Sequence, residues 1–488
     1  MLPEDIRWRI PEMKPEIIRA IQKVDIKDWK KIPLEFGNGF LELSVPSDCL
    51  NLSMKNVRTL ADPQSSIERA LSQPIGGPTI EEIIKNKQKP SSRITVAIAV
   101  SDITRPVPYK GEKGILLPLL NRLAALGVQR QNIAIVVGTG THRPSTPAEK
   151  KEMFGESVIR DFRILDHDCE NLDSLTYMGK TKKQTDVYVN TAFYSADVRI
   201  VTGLVESHFM AGVSGGRKAV CPALVDRRTI EKFHGPDFLE SPCADNLILA
   251  GNPCHEEALD VAKTVGVDFT VNVTLDKDMQ MTGVFAGDLE ESHLEAFRFM
   301  KEYTAIPLDR DFDIVLTHGG YAGRNHYQTA KAGCSALPAV RSGGTIIIAA
   351  DNRDRESIGS SAYRDLIGRL KTLGVEGYLG MLTAPDWTFT KDQWEPEVWG
   401  RVLRKVGEEG LIYCSPQIPP AEFSRLPGRS GHEFIEGGEA LSGREAAQTM
   451  VQNALLYTIS QHLKQGGQPS TAVIREGPYG VPHLRKAY

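Results

Sequence analysis

The chain has 488 residues, which at about 150 residues per domain excludes a single small domain and predicts two large domains or three smaller ones. Its 58 lysines and arginines against 62 aspartates and glutamates give a net charge of −4, so the overall basic charge of a nucleic-acid-binding protein is absent. Apolar residues make up 41% and charged residues 25%, as in folded soluble proteins, which excludes wholesale disorder.

The cysteines, the absence of a long apolar run and the N-terminal segment argue against disulfide-rich proteins, cysteine-rich zinc modules, membrane proteins and secreted proteins. Seven cysteines are dispersed without a CxxC pair, which argues against a disulfide framework and against a cysteine-rich zinc module. We find no apolar run of about eighteen residues that could span a bilayer. The first twenty residues also lack the apolar core of a secretory signal. We therefore expect a cytoplasmic protein with no membrane partner and no nucleic-acid partner.

The predicted elements of the first half alternate between strand and helix. The stretch LEFGNGFLELSVP, residues 34–46, predicts a strand pair around a Gly-Asn-Gly turn that adds an edge to the first domain. Apolar strand-like runs follow at Ile94–Val100, Asn132–Gly138, Phe162–Asp168 and Asp197–Gly203. Helix-like stretches come after most of them, among them residues 114–126 and GGRKAVCPALV. This rhythm is typical of a parallel sheet covered by helices.

The second half repeats the pattern. Strand-like runs lie at Phe312–Gly320, Gly343–Ala350 and Glu409–Ser415, with helix-like stretches between them. The charged segment Lys301–Asp311 has little apolar periodicity and marks the domain boundary. We therefore predict an α/β protein of two α/β domains with mainly parallel sheets and an active-site cleft between them. The N-terminal domain would cover residues 1–307 and the C-terminal domain residues 308–488.

Polar side chains follow the predicted strands of the first domain. In open parallel sheets, ligands bind beyond the carboxyl ends of the strands. Here those ends bring one group of polar residues toward a single crevice: Asp102, Arg105, His142, Arg143, His208 and Lys218. Arg105 offers a planar donor fork for a carboxylate or phosphate, or it forms an ion pair with Asp102 that fixes the loop.

Two features of this domain leave alternatives open. The stretch SGGRK, Ser214–Lys218, either holds an anion at a helix start or is an ordinary helix start, since it matches neither a P-loop nor a dinucleotide fingerprint. His142, His208 and His234 either form a three-histidine zinc site or divide into two proton-transfer bases and one ligand. Spacing alone does not choose between these readings.

Candidate residues of the second domain lie on a predicted helix and in a tryptophan motif. Gln328 and Lys331 are three residues apart on one helix face, which points into the cleft or into solvent. Trp394 in DQWEPEVW either covers a ligand or packs with its N–H satisfied. Polar groups also precede this helix, at Arg324, Asn325 and His326. They either bind a second carboxylate or further hydroxyls of the substrate, or form an exposed loop.

The ordered set of these strings resembles the lactate racemase family, the nickel-pincer-nucleotide enzymes. The resemblance runs from about residue 36 to the end of the chain. It rests on DITRPVP, GTGTHRP, HFMAGVSGGRKAVCP followed by TIEKFH, GNPCHEEAL, YQTAK and DQW.

The resemblance implies a cofactor and a set of site residues. The cofactor is a nickel-pincer nucleotide, a pyridinium-3-thioamide-5-thiocarboxylic acid mononucleotide with nickel, made by separate maturation proteins. Lys218 would attach it covalently and His234 would bind the nickel. The other implied roles are acid/base catalysis by His142 and His208, substrate contacts from Arg105, Tyr327, Gln328, Lys331 and Trp394, and nucleotide contacts from Asp102, Thr104, Ser214, Gly215 and Gly216.

The implied chemistry accounts for these residue types. A histidine of ordinary pKa, about 6.5, is too weak a base to take the α-proton of a 2-hydroxy acid whose carboxylate is ionised. Hydride transfer from C2 to the cofactor instead gives a stable 2-keto acid, provided that a histidine takes the hydroxyl proton. Two histidines are then expected, because the hydroxyl lies differently in the two enantiomers. Nickel in a sulfur-rich plane with one imidazole also matches the preferences of this metal and disfavours zinc.

Three readings of the function remain at this point. The preferred one is an isomerase, a racemase or epimerase whose substrate is a short 2-hydroxy acid such as lactate, with a sugar-acid 2-epimerase or a malate-type racemase as variants. A non-catalytic nickel or nucleotide carrier is the second reading, although two histidine bases would be superfluous in it. A zinc hydrolase using His142, His208 and His234 is the third.

Overall fold

The computed structural model describes residues 12–436 and 443–485, so the prediction about the N-terminal leader lies partly outside the described residues. The chain divides into two compact units, one of residues 56–303 and the other of residues 1–55 together with 304–488. Among the described residues, no helix is both long enough and apolar enough to cross a bilayer.

The first described segment carries a helix, a hairpin and a short strand: α1 (Pro15–Ile21), β1 (Lys30–Phe36), β2 (Gly39–Val45) and β3 (Leu50–Leu52). β1 and β2 pair antiparallel around the predicted turn, where Gly37 has a φ of 58°. Glycine suits this position because it adopts positive φ without a side-chain penalty. The predicted strand pair is therefore confirmed.

The unit of residues 56–303 has a six-stranded sheet in the order β13-β12-β9-β4-β5-β6, parallel except at the β12–β13 pair. Its elements are α2 (Pro63–Ser72), α3 (Ile80–Asn86), β4 (Val96–Ser101), α4 (Leu116–Ala125), β5 (Ile133–Gly138), α5 (Pro147–Phe154), α6 (Glu156–Asp161), β6 (Arg163–Asp166), β7 (Leu175–Lys180), β8 (Asp186–Asn190), α7 (Thr191–Tyr194), β9 (Val198–Leu204), β10 (Ser207–His208), β11 (Gly212–Val213), α8 (Arg227–Phe233), α9 (Pro236–Leu239), α10 (Pro253–Val265), β12 (Phe269–Leu275), β13 (Met281–Gly287) and α11 (Glu291–Thr304).

The second sheet belongs to the other unit. It has the order β18-β17-β16-β15-β19-β3, and all of its pairs are parallel. The elements after residue 304 are β14 (Ala305–Leu308), β15 (Phe312–His318), α12 (His326–Ala336), β16 (Val340–Ala349), α13 (Ser361–Leu382), α14 (Trp394–Gly410), β17 (Leu411–Cys414), β18 (Arg429–Ser430), α15 (Gly443–Lys464), β19 (Thr471–Ile474) and β20 (Val481–Leu484).

The apolar runs of the sequence become the central strands. β4 is buried along its whole length except at its last residue, and β12 is buried throughout. Strands of a parallel sheet covered on both faces are expected to read as continuous apolar runs. The predicted α/β class and the mainly parallel sheets are confirmed.

The structure groups the N-terminal residues differently from the prediction. β3 pairs with β19 at the edge of the second sheet, and the β1–β2 hairpin packs its apolar face with α15 into one core. Residues 1–55 therefore belong with residues 304–488 and do not extend the first sheet. The predicted boundary at residue 308 lies close to the observed division between residues 303 and 304.

Candidate functional site

The candidate site begins at the carboxyl ends of three adjacent strands of the first sheet. β4 lies between β9 and β5, and both pairs are parallel, so their carboxyl ends share one edge. Tyr109 braces this edge, because its buried hydroxyl accepts from the Ser101 amide at 2.7 Å and bonds to the Thr202 hydroxyl at 3.0 Å. Asp102 and His142 lie in the loops after β4 and β5, and His208 lies on β10 just after β9, as the sequence predicts.

Asp102 is a buried carboxylate with hydrogen bonds to both oxygens. Oδ1 accepts from the Thr104 hydroxyl at 2.5 Å and from its amide at 3.1 Å, and Oδ2 lies 2.6 Å from His142 Nδ1. Burial alone would raise the pKa of this carboxyl. The bonds from His142 and Thr104, with the charge of Arg105, outweigh burial and lower the pKa below its ordinary value. Asp102 is therefore ionised at neutral pH.

His142 receives a defined tautomer from this carboxylate. An ionised carboxylate only accepts, so Nδ1 carries the proton and Nε2 of the neutral ring carries the lone pair. The His142 side chain is 46% exposed, whereas that of Asp102 is 9% exposed. The exposed His142 ring is therefore a base that the buried Asp102 carboxylate holds in place.

Arg105 forms its ion pair with a residue that the sequence analysis did not single out. Its Nε lies 3.7 Å from Oε1 of Glu206, which follows β9. Both side chains are about three-quarters buried. Glu206 lies between β9 and His208, and only the strand order reveals that it faces the β4 loop.

His208 lies on the short β10–β11 hairpin and has the opposite tautomer to His142. Its buried ring accepts at Nδ1 from the amides of Met210 and Ala211, both at 3.3 Å. The proton of the neutral ring is therefore on Nε2, which donates. The two histidines thus have different tautomers, whereas the chemistry predicts two equivalent bases. The amide bonds to His208 are long, at 3.3 Å, so His208 can break them and change its tautomer.

The glycine loop before Lys218 is fixed by packing. Ser214 donates its hydroxyl to the Leu204 carbonyl at 2.7 Å, and the Gly216 amide donates to Asn272 Oδ1 at 3.0 Å. Gly215 and Gly216 have φ values of 73° and 52°. A Cβ on Gly216 would lie 2.7 Å from the His293 ring. Both glycines are therefore required by the backbone itself.

The predicted helix start at this loop is wrong. Gly216–Ala219 form a single 3₁₀ turn, and the next α-helix is α8 at Arg227–Phe233. The turn is held by Arg217, whose buried guanidinium donates to the Ala211 carbonyl at 2.8 Å and lies 2.9 Å from His293 Nε2. Four residues of 3₁₀ turn do not supply the N-terminal field of an α-helix, so that basis for an anion site is removed.

Lys218 is half-buried, with Nζ 4.9 Å from the centre of the Phe233 ring. Desolvation, followed by the positive charges of Arg217 and Arg105, lowers the pKa of Lys218 from 10.5 to about 7. A substantial fraction of this amine is therefore unprotonated near neutral pH, which makes it a nucleophile.

His234 ends α8 and is buried. Its Nδ1 donates to the Ile230 carbonyl at 2.9 Å, so Nε2 carries the lone pair. Burial, with the nearby charges of Lys218 and His142, lowers the pKa of His234 to about 3. A neutral imidazole whose tautomer is fixed by a backbone carbonyl is the form that binds a metal ion.

The structure does not support the three-histidine zinc site. In the part of the chain that the structure describes, no three His, Cys, Asp or Glu side chains converge as metal ligands. His142, His208 and His234 each form a different hydrogen bond at Nδ1, as described above. A single histidine ligand from the protein fits a metal whose other ligands come from a cofactor.

The site residues of the other unit form their own cluster. The Trp394 indole N–H donates to the Tyr327 hydroxyl at 3.0 Å and joins the first turns of α14 and α12. Gln328 and Lys331 lie on α12 and are both partly exposed. The predicted helix that carries Gln328 and Lys331 is therefore confirmed.

The polar side chains of the loop before α12 bond to neighbouring residues, and Arg324 stays 61% exposed, as in the exposed-loop alternative. Arg324 forms an ion pair with Asp354 at 2.9 Å, and Asn325 donates to the same carboxylate at 3.1 Å while it caps α12. His326 is fully buried and stacks on Trp399 at 4.7 Å. These contacts give Arg324, Asn325 and His326 structural roles.

Comparison with known proteins matches this arrangement to one family. The sequence profile of the lactate racemase N-terminal domain matches residues 36–245. The lactate racemase of Lactiplantibacillus plantarum is 32% identical over 398 residues, which are 80% of this chain and 90% of that protein. The lactate racemase of Thermoanaerobacterium thermosaccharolyticum is 30% identical over 383 residues, 76% of this chain and 82% of that protein.

Solved structures agree with the sequence comparisons. The lactate racemase apoprotein from Thermoanaerobacterium thermosaccharolyticum superposes with a TM-score of 0.76 at 25% identity, covering 94% of this chain and all of that one. A protein of Thermotoga maritima superposes with a TM-score of 0.59 at 18% identity, covering 85% of this chain and all of that one, which shows the shared fold.

Proposed function

Because the chain belongs to the lactate racemase family, we propose that it is a racemase or epimerase that inverts C2 of a short 2-hydroxy acid such as lactate. The observation that carries the proposal is the Asp102–His142 pair. In this pair, His142 is a proton acceptor at the carboxyl edge of the first sheet. The chain that follows β9 at the same edge carries Lys218 and His234.

The residues of this chain fit a nickel-pincer nucleotide. Lys218 supplies an amine of lowered pKa for covalent attachment, and His234 supplies one neutral imidazole for nickel. No complete protein ligand set is found in the described residues, as expected if the nucleotide provides the other donors. When bound, the nucleotide supplies the acceptor that takes the C2 hydrogen with its electron pair and returns it. Asp102, Thr104, Ser214, Gly215 and Gly216 are assigned to the nucleotide by the family pattern.

His142 takes the proton of the substrate hydroxyl. Its Nε2 carries the lone pair, and the ionised Asp102 stabilises the imidazolium that forms. Removal of this proton is what allows C2 to give up its hydrogen as hydride, with a 2-keto acid as the product of that step. Asp102 therefore also acts as the positioning residue of His142.

His208 acts on the substrate oxygen from its protonated nitrogen. In the hydrogen-bonded state described above, Nε2 donates and so stabilises an oxygen that carries negative charge. To serve as the base for the opposite enantiomer, His208 must release the amides of Met210 and Ala211 and move its proton to Nδ1. The assignment of His142 and His208 as the two acid/base groups is retained with this difference.

Cationic and polar side chains bind the carboxylate of the substrate. Arg105 offers its guanidinium fork, and Lys331 offers an ammonium on α12. Gln328, Tyr327 and Trp394 complete the proposed substrate contacts. Arg324 and Asn325 already bind Asp354, which favours a substrate with one carboxylate over a malate-type dicarboxylate. A sugar-acid 2-epimerase remains the alternative for a longer substrate.

The test is a substrate panel with matured enzyme. The chain is co-expressed with the cofactor-maturation proteins in the cytoplasm of a host, and single enantiomers of lactate, malate and an aldonate are followed by chiral chromatography. We expect inversion of lactate, with deuterium at C2 retained in the product. Inversion with loss of that deuterium to solvent would overturn hydride transfer, and bound cofactor without turnover of any acid would favour a carrier.

A further inference from the structure

Glu395 is a buried carboxyl group for which neither the comparisons nor the family pattern gives a role. It follows Trp394 in the first turn of α14 and is 2% exposed. Its backbone amide donates to the Asp392 carbonyl at 3.2 Å. Its Oε1 atom is buried and has no hydrogen-bond partner within the described residues. A buried carboxylate oxygen without a partner carries a large desolvation cost unless the group is neutral.

The groups in electrostatic contact with Glu395 lie on α12, on α13 and just before α14. Lys331 on α12 provides the opposite charge, and Asp392 before α14 provides a like charge. The phenol of Tyr327 on α12, which is partly exposed, and the buried phenol of Tyr363 on α13 are in electrostatic contact with the same carboxyl. Lys331 is therefore the cation that balances Glu395 when Glu395 is ionised.

Burial dominates the protonation of this group. Desolvation raises the pKa of Glu395 from 4.5 to about 8, with the charge of Lys331 opposing the shift and that of Asp392 adding to it. Glu395 thus changes its charge in a range where most carboxyl groups are fully ionised. An anionic ligand that binds to Lys331 therefore changes the protonation of Glu395.

We propose that Glu395 is a positioning residue for Lys331 and takes up one proton from solvent when an anionic carboxylate binds to Lys331. The inference rests on the proposed function, in which Lys331 binds the carboxylate of the substrate. Two carboxylates would otherwise share one ammonium next to a third carboxylate, that of Asp392. Because like charges disfavour each other's ionised form, the buried Glu395 becomes neutral and leaves Lys331 to the substrate.

The sign of the pH effect follows from this linkage. Below pH 7, Glu395 is already protonated, so binding takes up no proton at this site. Above pH 8, the free protein holds Glu395 ionised, and binding must add the proton. Affinity therefore falls as pH rises, approaching about tenfold per pH unit while the bound form stays protonated.

Calorimetry of the cofactor-loaded enzyme tests the proposal. Racemic lactate is titrated at pH 7 and pH 9, each in two buffers of different ionisation enthalpy. Racemic ligand is already at equilibrium, so turnover adds no heat. We expect close to zero protons taken up at pH 7, between one-half and one at pH 9, and a several-fold weaker Kd at pH 9.

Two variants separate Glu395 from its surroundings. Glu395→Gln keeps the shape of the side chain and removes its titration, so the difference in proton uptake between pH 7 and pH 9 should vanish and Kd should become nearly independent of pH. Glu397→Gln changes another buried carboxyl in the same turn and should retain the wild-type behaviour.

The possible failures are distinguishable. If wild-type enzyme neither binds nor inverts any 2-hydroxy acid, the proposed function fails. If it inverts lactate but Kd is constant from pH 7 to pH 9 without proton uptake, the role of Glu395 is overturned, whether or not the variants fold. Equal uptake in wild type and Glu395→Gln overturns it as well.

Discussion

At the scale of single residues, the candidate site is defined by which ring nitrogen of each histidine carries a proton. His142 and His234 both donate from Nδ1, one to a carboxylate and the other to a backbone carbonyl. His208 accepts at Nδ1 from two amides. The first two therefore expose a lone pair at Nε2, whereas the third exposes a proton.

Nitrogen NMR of the protein without cofactor tests these tautomers. In ¹⁵N-labelled protein above the pKa of each histidine, we expect an unprotonated Nε2 for His142 and an unprotonated Nδ1 for His208, assigned by comparison with His142→Gln and His208→Gln. The same tautomer at both positions would contradict the unequal roles proposed here.

Removal of the Asp102 charge should slow proton transfer. In Asp102→Asn the orienting carboxylate becomes an amide, which stabilises neither the Nδ1–H tautomer nor the imidazolium of His142. We expect kcat to fall by about 10²–10⁴-fold, the usual contribution of general acid–base catalysis. Thr104→Val removes only one bond to Asp102 and should cost less. Intact mass must confirm that Lys218 remains modified, and wild-type kcat in Asp102→Asn would refute the assignment.

Lys218 should be unusually reactive before maturation. With a pKa of about 7 it is largely unprotonated at pH 7.5, whereas ordinary lysines are charged. Reductive methylation of apoprotein, read by peptide mass spectrometry, should modify Lys218 faster than Lys232, whose side chain is 40% exposed. Arg105→Gln removes a positive charge, raises the pKa of Lys218 and should slow its modification at that pH. Slower modification of Lys218 than of Lys232 in wild type would contradict the lowered pKa.

At the scale of elements, the strands and their polar ends are readable from the sequence, but the glycine loop is not. Apolar runs such as β4 and β15 are long, and a buried parallel strand permits little else. The pattern of SGGRK is equally compatible with an α-helix and with a 3₁₀ turn. The choice depends on long-range contacts of Arg217 with His293 and of Gly216 with Asn272, which local patterns do not encode. For the same reason, the local sequence does not mark Glu206 or Glu395 as a site residue.

A side chain on Gly216 should destabilise this loop. Gly216→Ala combines a φ of 52° with a Cβ that lies 2.7 Å from the His293 ring, and we expect a loss of about 1–3 kcal/mol in the free energy of unfolding. Gly111→Ala is the matched control, because its φ of 74° carries the same kind of strain with no atom within 4 Å. Urea unfolding of apoprotein measures both, and equal losses would show that the contact with His293 is unimportant.

At the scale of the whole molecule, one unit is built from two separate segments, residues 1–55 and 304–488, and the segment between them forms the other unit. The strand pair around Gly37 was predictable, but its location was not, because a hairpin with one apolar face fits either unit by pattern alone. Two long-range features assign it to the unit of residues 304–488: the packing of the hairpin with α15, and the pairing of β3 with β19, more than 400 residues apart in the chain.

Fragments of the chain test this division. Residues 56–303 expressed alone should unfold cooperatively, because their sheet and core are internal to that segment. Residues 304–488 alone should not, since they lack the hairpin and β3 that complete their core. Joining residues 1–55 to residues 304–488 through a flexible linker should restore cooperative unfolding. A stable, cooperative 304–488 fragment would contradict the division.

The pairing of β3 with β19 also sets an order of events during synthesis. The ribosome makes β3 more than 400 residues before β19, so the sheet that contains Leu50–Leu52 stays incomplete until β19 has emerged. Residues 56–303 need nothing from later in the sequence and are free to fold while translation continues. The scaffold of Lys218 and His234 would then be ready for loading before the strands around Lys331 are complete.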